Sequence, residues 1–175
     1  AASSEESGKN NFTWCAVDGD RETRWCAATS SFPQSFQITF DKPQTLTGVN
    51  IVWESGNNIY RHIIEGSTDG KTWTVLSEAS GNQKTGDTVA SFGETTLRFL
   101  KVTCTGTSTG GWASIRELTV GGTGLKSLYP KLDEKQQAAV EARETKEADP
   151  YAKGGNIPPK IVKISAEEES NILKD

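Results

Sequence analysis

A short acidic loop holds the residues of this sequence that are best suited to chemistry. The loop covers residues 15–25 and reads Cys-Ala-Val-Asp-Gly-Asp-Arg-Glu-Thr-Arg-Trp. Asp18 and Asp20 stand on either side of a Gly, and Thr23 follows shortly after, so hard oxygen atoms are concentrated on a tight turn. Calcium takes about six to eight such oxygens from carboxylates, hydroxyls and backbone carbonyls. The loop therefore predicts a calcium site, with an ordinary polar Asp-Gly-Asp turn as the alternative interpretation.

A further carboxylate is available from a segment much later in the chain. Glu117 lies within residues 112–120, of which 113–120 read as a strand. A cation that is bound by both segments would tie the start of a domain to its end. The acidic loop is not an EF-hand, because the Gly and the distant Glu of that motif are missing at the required offsets.

Composition places the folded domain in the first two thirds of the chain. The chain has 175 residues, and all five Trp lie before residue 123. Residues 1–122 contain 10 Lys/Arg against 13 Asp/Glu, and residues 123–175 contain 9 against 10, giving charges of −3 and −1 and a net −4. Since neither part is basic, we expect no nucleic acid partner and no binding to anionic membranes. No apolar run approaches the roughly 18 residues that span a membrane.

The three cysteines have different predicted roles. Cys104 alternates in phase with apolar residues of the segment 98–104, which predicts a buried thiol. Cys15 and Cys26 flank the acidic loop, and a disulfide between them would brace it, but sequence alone leaves the pairing open. The lack of a Cys-x-x-Cys pair argues against zinc. A chain that begins at Ala1 and contains no Met fits the mature form of an exported protein, periplasmic, cell-surface or extracellular, which we expect here.

Residues 12–120 read as a series of short strands without helical periodicity. These segments are rich in Val, Ile, Thr, Phe and Trp, and Gly, Asn, Asp and Pro separate them. The predicted strands are 35–40, 46–54, 59–66, 73–77, 88–92, 97–105 and 113–120. Asp69-Gly70 predicts a two-residue hairpin turn between two of them. Many short strands at regular spacing predict an all-β fold, a β-sandwich or jelly roll.

The composition changes at a Gly-rich run that begins with Gly121. We therefore expect a β-sandwich over residues 1–121 and a linker over residues 122–175. The segment 130–148 is dense in Lys, Glu, Gln and Ala, and it predicts either a short solvated helix or a disordered spacer. Residues 157–162 contain a Pro pair and predict an extended segment.

Four short sequence motifs occur in a fixed order between about residue 5 and residue 121. They are Ala16-x-Asp18-Gly19-Asp20-x-x-Thr23-x-Trp25, Gly66-Ser67-x-Asp69-Gly70-x-x-Trp73, Arg98-Phe99-Leu100-Lys101-Val102 and Ser114-Ile115-x-Glu117-Leu118. In this order they resemble the discoidin domains, also called coagulation factor five/eight C-type domains. Within that family, the chain resembles the bacterial family 32 carbohydrate-binding modules. The resemblance implies a jelly roll of the galactose-binding-domain type that binds glycans without catalysis.

The resemblance also implies a structural calcium ion. Its implied ligands are three carboxylates, a hydroxyl and two backbone carbonyls, from Asp18, Asp20, Glu117, Thr23, Cys15 and Arg116. Because protein atoms would saturate such an ion, no open position would remain for chemistry.

In this family small sugars bind on loops at one end of the sandwich. Such a site needs an aromatic face and a few planar hydrogen-bonding groups. The predicted ligand-binding residues are Trp112, Arg61, Glu54, Asn57, Asn58 and Phe32. Arg61 is predicted either to pair with Glu54 or to line the site, and the other four Trp are predicted to lie mostly in the core. The only His, His62, alternates in phase with buried strand positions, so the His-Arg-Asn set of galactose-binding members is poorly matched and the glycan stays open.

We expect no catalysis within this chain, because it has one His, no nucleophile elbow and no Gly-rich phosphate loop. Membrane binding is disfavoured, since the predicted loop tips are rich in Ser, Gly and Asn and lack apolar residues with basic neighbours. The expected function is a monomeric glycan-binding module of a larger exported protein, carbohydrate-active or an oxidoreductase. Residues 149–175 are similar to linkers that precede the propeller of exported dehydrogenase-like proteins. A protein-adhesion domain or a structural spacer is the alternative.

Overall fold

The computed structural model describes residues 1–121 and, in the linker, residues 134–135, 138–139 and 141–142. Residues 1–121 form the β-sandwich that the sequence predicts. The strands are β1 Trp25–Cys26, β2 Gln34–Trp53, β3 Tyr60–Ser67, β4 Thr74–Ala79, β5 Thr88–Thr107 and β6 Ser114–Gly121, preceded by short 3-10 helices at Ser7–Lys9 and Thr13–Val17. Hydrogen-bonded neighbours follow the order β1-β6-β2-β5-β3-β4, and every pair is antiparallel.

β2 and β5 each join two of the predicted strands into one strand of 20 residues. The predicted break in β2 lies in a bulge, where Phe40–Pro43 stand opposite Arg98 alone. A bulge leaves its extra residues unpaired, so Pro43, which has no N–H, is tolerated there. The predicted break in β5 is a second bulge, where Phe92–Glu94 stand opposite Thr47. Each long strand can therefore bend and contribute to both layers of the sandwich.

Because β2 and β5 bend, several strand termini meet at one end of the sandwich. Gln34, the first residue of β2, pairs with Cys104 near the end of β5, and Tyr60 at the start of β3 pairs with Thr107. Trp53, the last residue of β2, stacks on Tyr60 with ring centroids 4.3 Å apart. The connections at this end comprise residues 27–33, 54–59 and 108–113, and we call them the loop end.

The apolar core lies between the layers of the sandwich. Burial alternates along the second half of β2, since Val49 and Trp53 are buried while the residues beside them are less so. Trp25 also lies in the core, as predicted. Trp14 and Trp73 are only half-buried, contrary to the prediction, because they pack on neighbouring aromatic rings outside the main core cluster.

β3 and β4 form the hairpin predicted at Asp69-Gly70. The prediction of a two-residue turn is wrong, because β3 ends at residue 67 and β4 begins at residue 74. The Asp69 carboxylate accepts the N–H groups of Lys71 and Thr72, both at 2.8 Å, and the Ser67 hydroxyl at 3.0 Å. These bonds stabilise a longer turn. They also lower the pKa of Asp69 to about 2, with the backbone N–H of Thr72 as the largest cause.

Two predictions of burial are confirmed. Cys104 is buried, and His62 is 1% exposed, with its Nδ1 3.1 Å from the carbonyl oxygen of Tyr60. Cys26 has a free thiol, so the disulfide to Cys15 that the sequence left open is not formed.

The chain divides into two compact units, residues 1–130 and 131–175. The described residues of the second unit are helical, in agreement with the helix interpretation of residues 130–148. The extended segment predicted at 157–162 lies outside the described residues. Within the part of the chain that the structure describes, no helix is long and apolar enough to cross a membrane.

Candidate functional site

Strand β6 brings Glu117 to the acidic loop. The backbone N–H of Gly19 donates to Glu117 Oε2 at 3.0 Å. The other carboxylate oxygen, Oε1, is buried and has no hydrogen-bond partner among the described residues, and the whole residue is only 5% exposed. A buried polar atom without a partner costs free energy, so a native structure normally provides one.

The charges around Glu117 are crowded. The pKa of Glu117 is raised to about 7, first by burial and next by the nearby negative charge of Asp18. The Gly19 N–H and the positive charge of Arg21 oppose this rise. A cation at this position would supply both the missing partner and the missing positive charge.

Oxygen atoms of the acidic loop converge on the Thr23 hydroxyl. Its Oγ1 lies 3.3 Å from the carbonyl oxygen of Cys15, 2.9 Å from Asp18 Oδ2 and 3.0 Å from the carbonyl oxygen of Asp20. One carboxylate oxygen of Asp20 accepts the N–H of Glu22 at 2.8 Å, which holds the turn. The Cys15 carbonyl, the Asp18 carboxylate and the Thr23 hydroxyl therefore lie together, and Asp20 joins them with its backbone carbonyl oxygen.

Arg116 links this loop to the loop end. The register between β6 and β2 shifts at Arg116, which has no opposite residue on β2, so the strand is bulged there. Its Nη1 donates to the carbonyl oxygen of Arg21 at 3.0 Å, and its Nε donates to the carbonyl oxygen of Glu54 at 3.3 Å. Arg24 adds a second link, since its Nε lies 3.1 Å from Glu54 Oε1.

Carboxylates alone do not make a metal site here. Among the residues that the structure describes, no group of three or more His, Cys, Asp or Glu side chains is placed to hold a metal ion. A cation at the acidic loop would therefore depend on backbone carbonyls and the Thr23 hydroxyl as well as on carboxylates, which is a donor set that suits calcium.

Trp112 dominates the surface of the loop end. It is 46% exposed and is the only exposed aromatic side chain among residues 1–121. It follows Gly110, whose φ of +69° favours glycine, and Gly111, whose carbonyl oxygen accepts the Thr107 hydroxyl at 3.4 Å. The ring is thus presented by a turn that is fastened to the end of β5.

Asn58 fastens two loops of the loop end to each other. Its Oδ1 accepts the backbone N–H of Ser108 at 3.2 Å and the Ser108 hydroxyl at 2.7 Å, and the residue is 6% exposed. Asn57 beside it is exposed. No sequence pattern indicated Ser108, because its role depends on a contact between loops that are distant along the chain.

The six predicted ligand-binding residues all lie at the loop end or next to it. Two are exposed, three are half-buried and one is buried: Trp112 and Asn57, then Arg61, Glu54 and Phe32, then Asn58. The Arg61 side chain lies along the end of β5, with Nη1 3.5 Å from the carbonyl oxygen of Thr107. Glu54 pairs with Arg24, which the sequence analysis missed, and not with Arg61.

One protein family matches most of this chain. Residues 1–118 match the sequence model of the F5/8 type C domain. No curated protein sequence matches the chain.

Three solved structures are similar to this chain. A pectin-binding carbohydrate-binding module is 27% identical over 71% of this chain and 89% of that chain, with a TM-score of 0.61. Chitosan-binding module 2 from the chitosanase/glucanase of Paenibacillus sp. IK-5, in complex with chitotriose, is 27% identical over 70% and 94%, with a TM-score of 0.63. The CBM32 of AlyQ, in complex with 4,5-unsaturated mannuronic acid, is 25% identical over 69% and 91%, with a TM-score of 0.59.

Proposed function

This chain belongs to the F5/8 type C domain family, and we propose that it is a non-catalytic carbohydrate-binding module. The observation that supports this most directly is Trp112, the only exposed aromatic side chain of residues 1–121. An exposed indole stacks against the C–H face of a sugar ring, and polar groups around it bind the hydroxyls. The similar structures are modules that bind pectin, chitotriose or an unsaturated mannuronic acid, which supports a glycan as the ligand.

The other residues of the loop end would complete the site. Asn57 and Arg61 present planar hydrogen-bonding groups, and Glu54 adds a carboxylate. The hydrogen bonds between Asn58 and Ser108 hold the two loops in place before a ligand arrives. A preformed site avoids the entropic cost of ordering loops on binding, which favours affinity.

A structural calcium ion at the acidic loop is the second part of the proposal. The observation that supports it is the buried Glu117 Oε1 atom, which has no partner among the described residues. Carboxylate oxygens of Glu117 and Asp18 would hold the ion together with the Thr23 hydroxyl, an oxygen of Asp20 and the carbonyl oxygens of Cys15 and Arg116. When bound, the ion would neutralise these charges and brace the loop, without taking part in any reaction.

The module would act as part of a larger exported protein. A binding module raises the effective concentration of attached domains at a polymer, so it is useful without any chemistry of its own. Those domains, carbohydrate-active or oxidoreductase, and the glycan would be its partners, and one copy of the sandwich presents a complete loop end.

The proposal is tested by replacing Trp112. Val75 provides a matched control, because it is 53% exposed and pairs with Glu65, near the end of β3 that lies away from the loop end. We would measure the binding of the chain to pectin, alginate, chitosan and galactan by affinity electrophoresis. At least one polysaccharide should retard the chain and its Val75→Ala variant but not Trp112→Ala, with all three melting alike. Retardation that survives in Trp112→Ala would remove this residue from the site.

A further inference from the structure

The charges of the loop end are unevenly balanced. Arg61 is half-buried, and its Nη1 approaches only a backbone carbonyl, that of Thr107 at 3.5 Å. Among residues 1–121, no acidic side chain forms an ion pair with Arg61. A guanidinium that stays charged at every physiological pH is therefore available to a ligand.

The acidic residue in the connections of the loop end already has a positively charged partner. Glu54 is the only charged residue in the three connections of the loop end, residues 27–33, 54–59 and 108–113. Its carboxylate lies 3.1 Å from Arg24. The pair cancels, so Arg61 leaves a local positive excess on a sandwich whose residues 1–122 sum to −3.

Arg61 is also connected to the loop that presents Trp112. Its guanidinium lies against the Gly106–Thr107 end of β5, since a Cβ built on Gly106 would be 3.9 Å from Nη1. The Thr107 hydroxyl in turn binds the carbonyl oxygen of Gly111, the residue before Trp112, at 3.4 Å. A positive charge and an exposed aromatic ring thus belong to the same end of β5.

We infer that the glycan bound beside Trp112 carries a carboxylate, as a uronic acid does, and that Arg61 binds it. This inference rests on the proposed function. The planar guanidinium matches a carboxylate with two parallel hydrogen bonds, which makes the pair strong and directional. A neutral sugar would offer Arg61 only hydroxyls. A cationic amino sugar would meet the like charge of Arg61, and the Glu54 carboxylate is already paired with Arg24.

The test compares matched ligands by isothermal titration calorimetry on the full chain. The ligands are trigalacturonate, its full methyl ester, trimannuronate and chitotriose; the ester keeps the sugar ring and removes the charge. We expect a uronate to bind about ten to a hundred times more tightly than the ester, because hydrogen bonds to a charged group change affinity by about that factor. The difference should shrink as salt is added.

Substitutions of Arg61 test whether its guanidinium causes the preference for the uronate. Arg61→Gln should abolish the preference for the uronate over the ester, whereas Arg61→Lys should keep part of it. Lys42→Gln removes the same charge from an exposed position in the β2 bulge and should leave the preference intact. Melting curves confirm that each variant folds.

The outcomes separate this inference from the proposed function. Equal affinity for uronate and ester, or tighter binding of chitotriose, would overturn the inference while leaving a glycan-binding module. An unchanged uronate preference in Arg61→Gln would overturn the role of Arg61. If a neutral glycan alone binds and Trp112→Ala abolishes that binding, only the carboxylate claim fails. If no glycan binds at all, both fail.

Discussion

Glu117 carries a buried carboxylate oxygen, Oε1, that has no hydrogen-bond partner among the described residues. Glu117→Gln removes a buried charge beside Asp18 but keeps an oxygen that can accept the Gly19 N–H. We expect the variant to melt no lower than the parent in chelator and to lose the rise in melting temperature that calcium causes. At a calcium concentration 100 times the Kd, that rise corresponds to about 2.7 kcal/mol. Differential scanning calorimetry with calcium and with chelator measures it.

Glu94→Gln is the control for this experiment, since Glu94 is exposed and lies in the β5 bulge. It should respond to calcium as the parent does. A full rise in melting temperature with calcium in Glu117→Gln would show that calcium binds at a site without Glu117.

Asp69 makes the stability of the β3–β4 turn depend on pH. The pKa of its carboxyl is lowered to about 2, first by the backbone N–H of Thr72. A lowered pKa means that the stabilisation is present above pH 3.8, the ordinary value, and is lost as the pH falls towards 2. We expect Asp69→Asn to melt below the parent at pH 5 and the gap to close between about pH 4 and pH 2. Asp87→Asn, which replaces an exposed carboxylate outside this turn, is the matched control.

At the scale of the strands, Gly48 allows β2 and β5 to cross closely at their bulge. A Cβ at Gly48 would lie 2.7 Å from the carbonyl oxygen of Ala90, whereas a Cβ at Gly93 would meet nothing within 4 Å. We expect Gly48→Ala to lower the free energy of unfolding by about 1–3 kcal/mol, because backbone atoms must move. Gly93→Ala should change it by less than about 0.5 kcal/mol. Urea unfolding measures both, and equal losses would contradict this view of the bulge.

The strand pattern was readable from the sequence, but the continuity of the strands was not. Pro43 and Gly93 are turn residues by composition, and the structure places both in bulges of long strands. The same residue types serve turns and bulges, because both need unpaired or unusual backbone. Only the cross-strand register, set by residues far along the chain, distinguishes the two.

The candidate sites could likewise be predicted from the sequence only in part. The acidic loop was readable because Asp18, Asp20 and Thr23 are close in sequence, and the burial of His62 followed from alternation. The burial of Asn58 did not follow, since Asn in a polar loop is ordinarily a turn residue. Its contact with Ser108 depends on how two loops meet in space.

As a whole, residues 1–121 combine a core that two bent strands organise with polar sites at its margin. The acidic loop and the loop end are joined through Arg116 and through the pair of Arg24 with Glu54. A brace on the first would therefore also position the start of the second. This arrangement suits a rigid recognition module, because a site held in place loses little entropy on binding.

The five Trp residues allow binding at the loop end to be observed directly. In a ¹H–¹⁵N spectrum each indole N–H gives one signal, and Trp112→Ala identifies that of Trp112 by its disappearance. We would titrate the calcium-loaded chain with trigalacturonate, trimannuronate, chitotriose and a galactose oligosaccharide. The Trp112 signal should shift with at least one of them, while the signal of buried Trp25 stays in place. A Trp112 signal that no glycan moves, in a folded chain, would contradict glycan binding at the loop end.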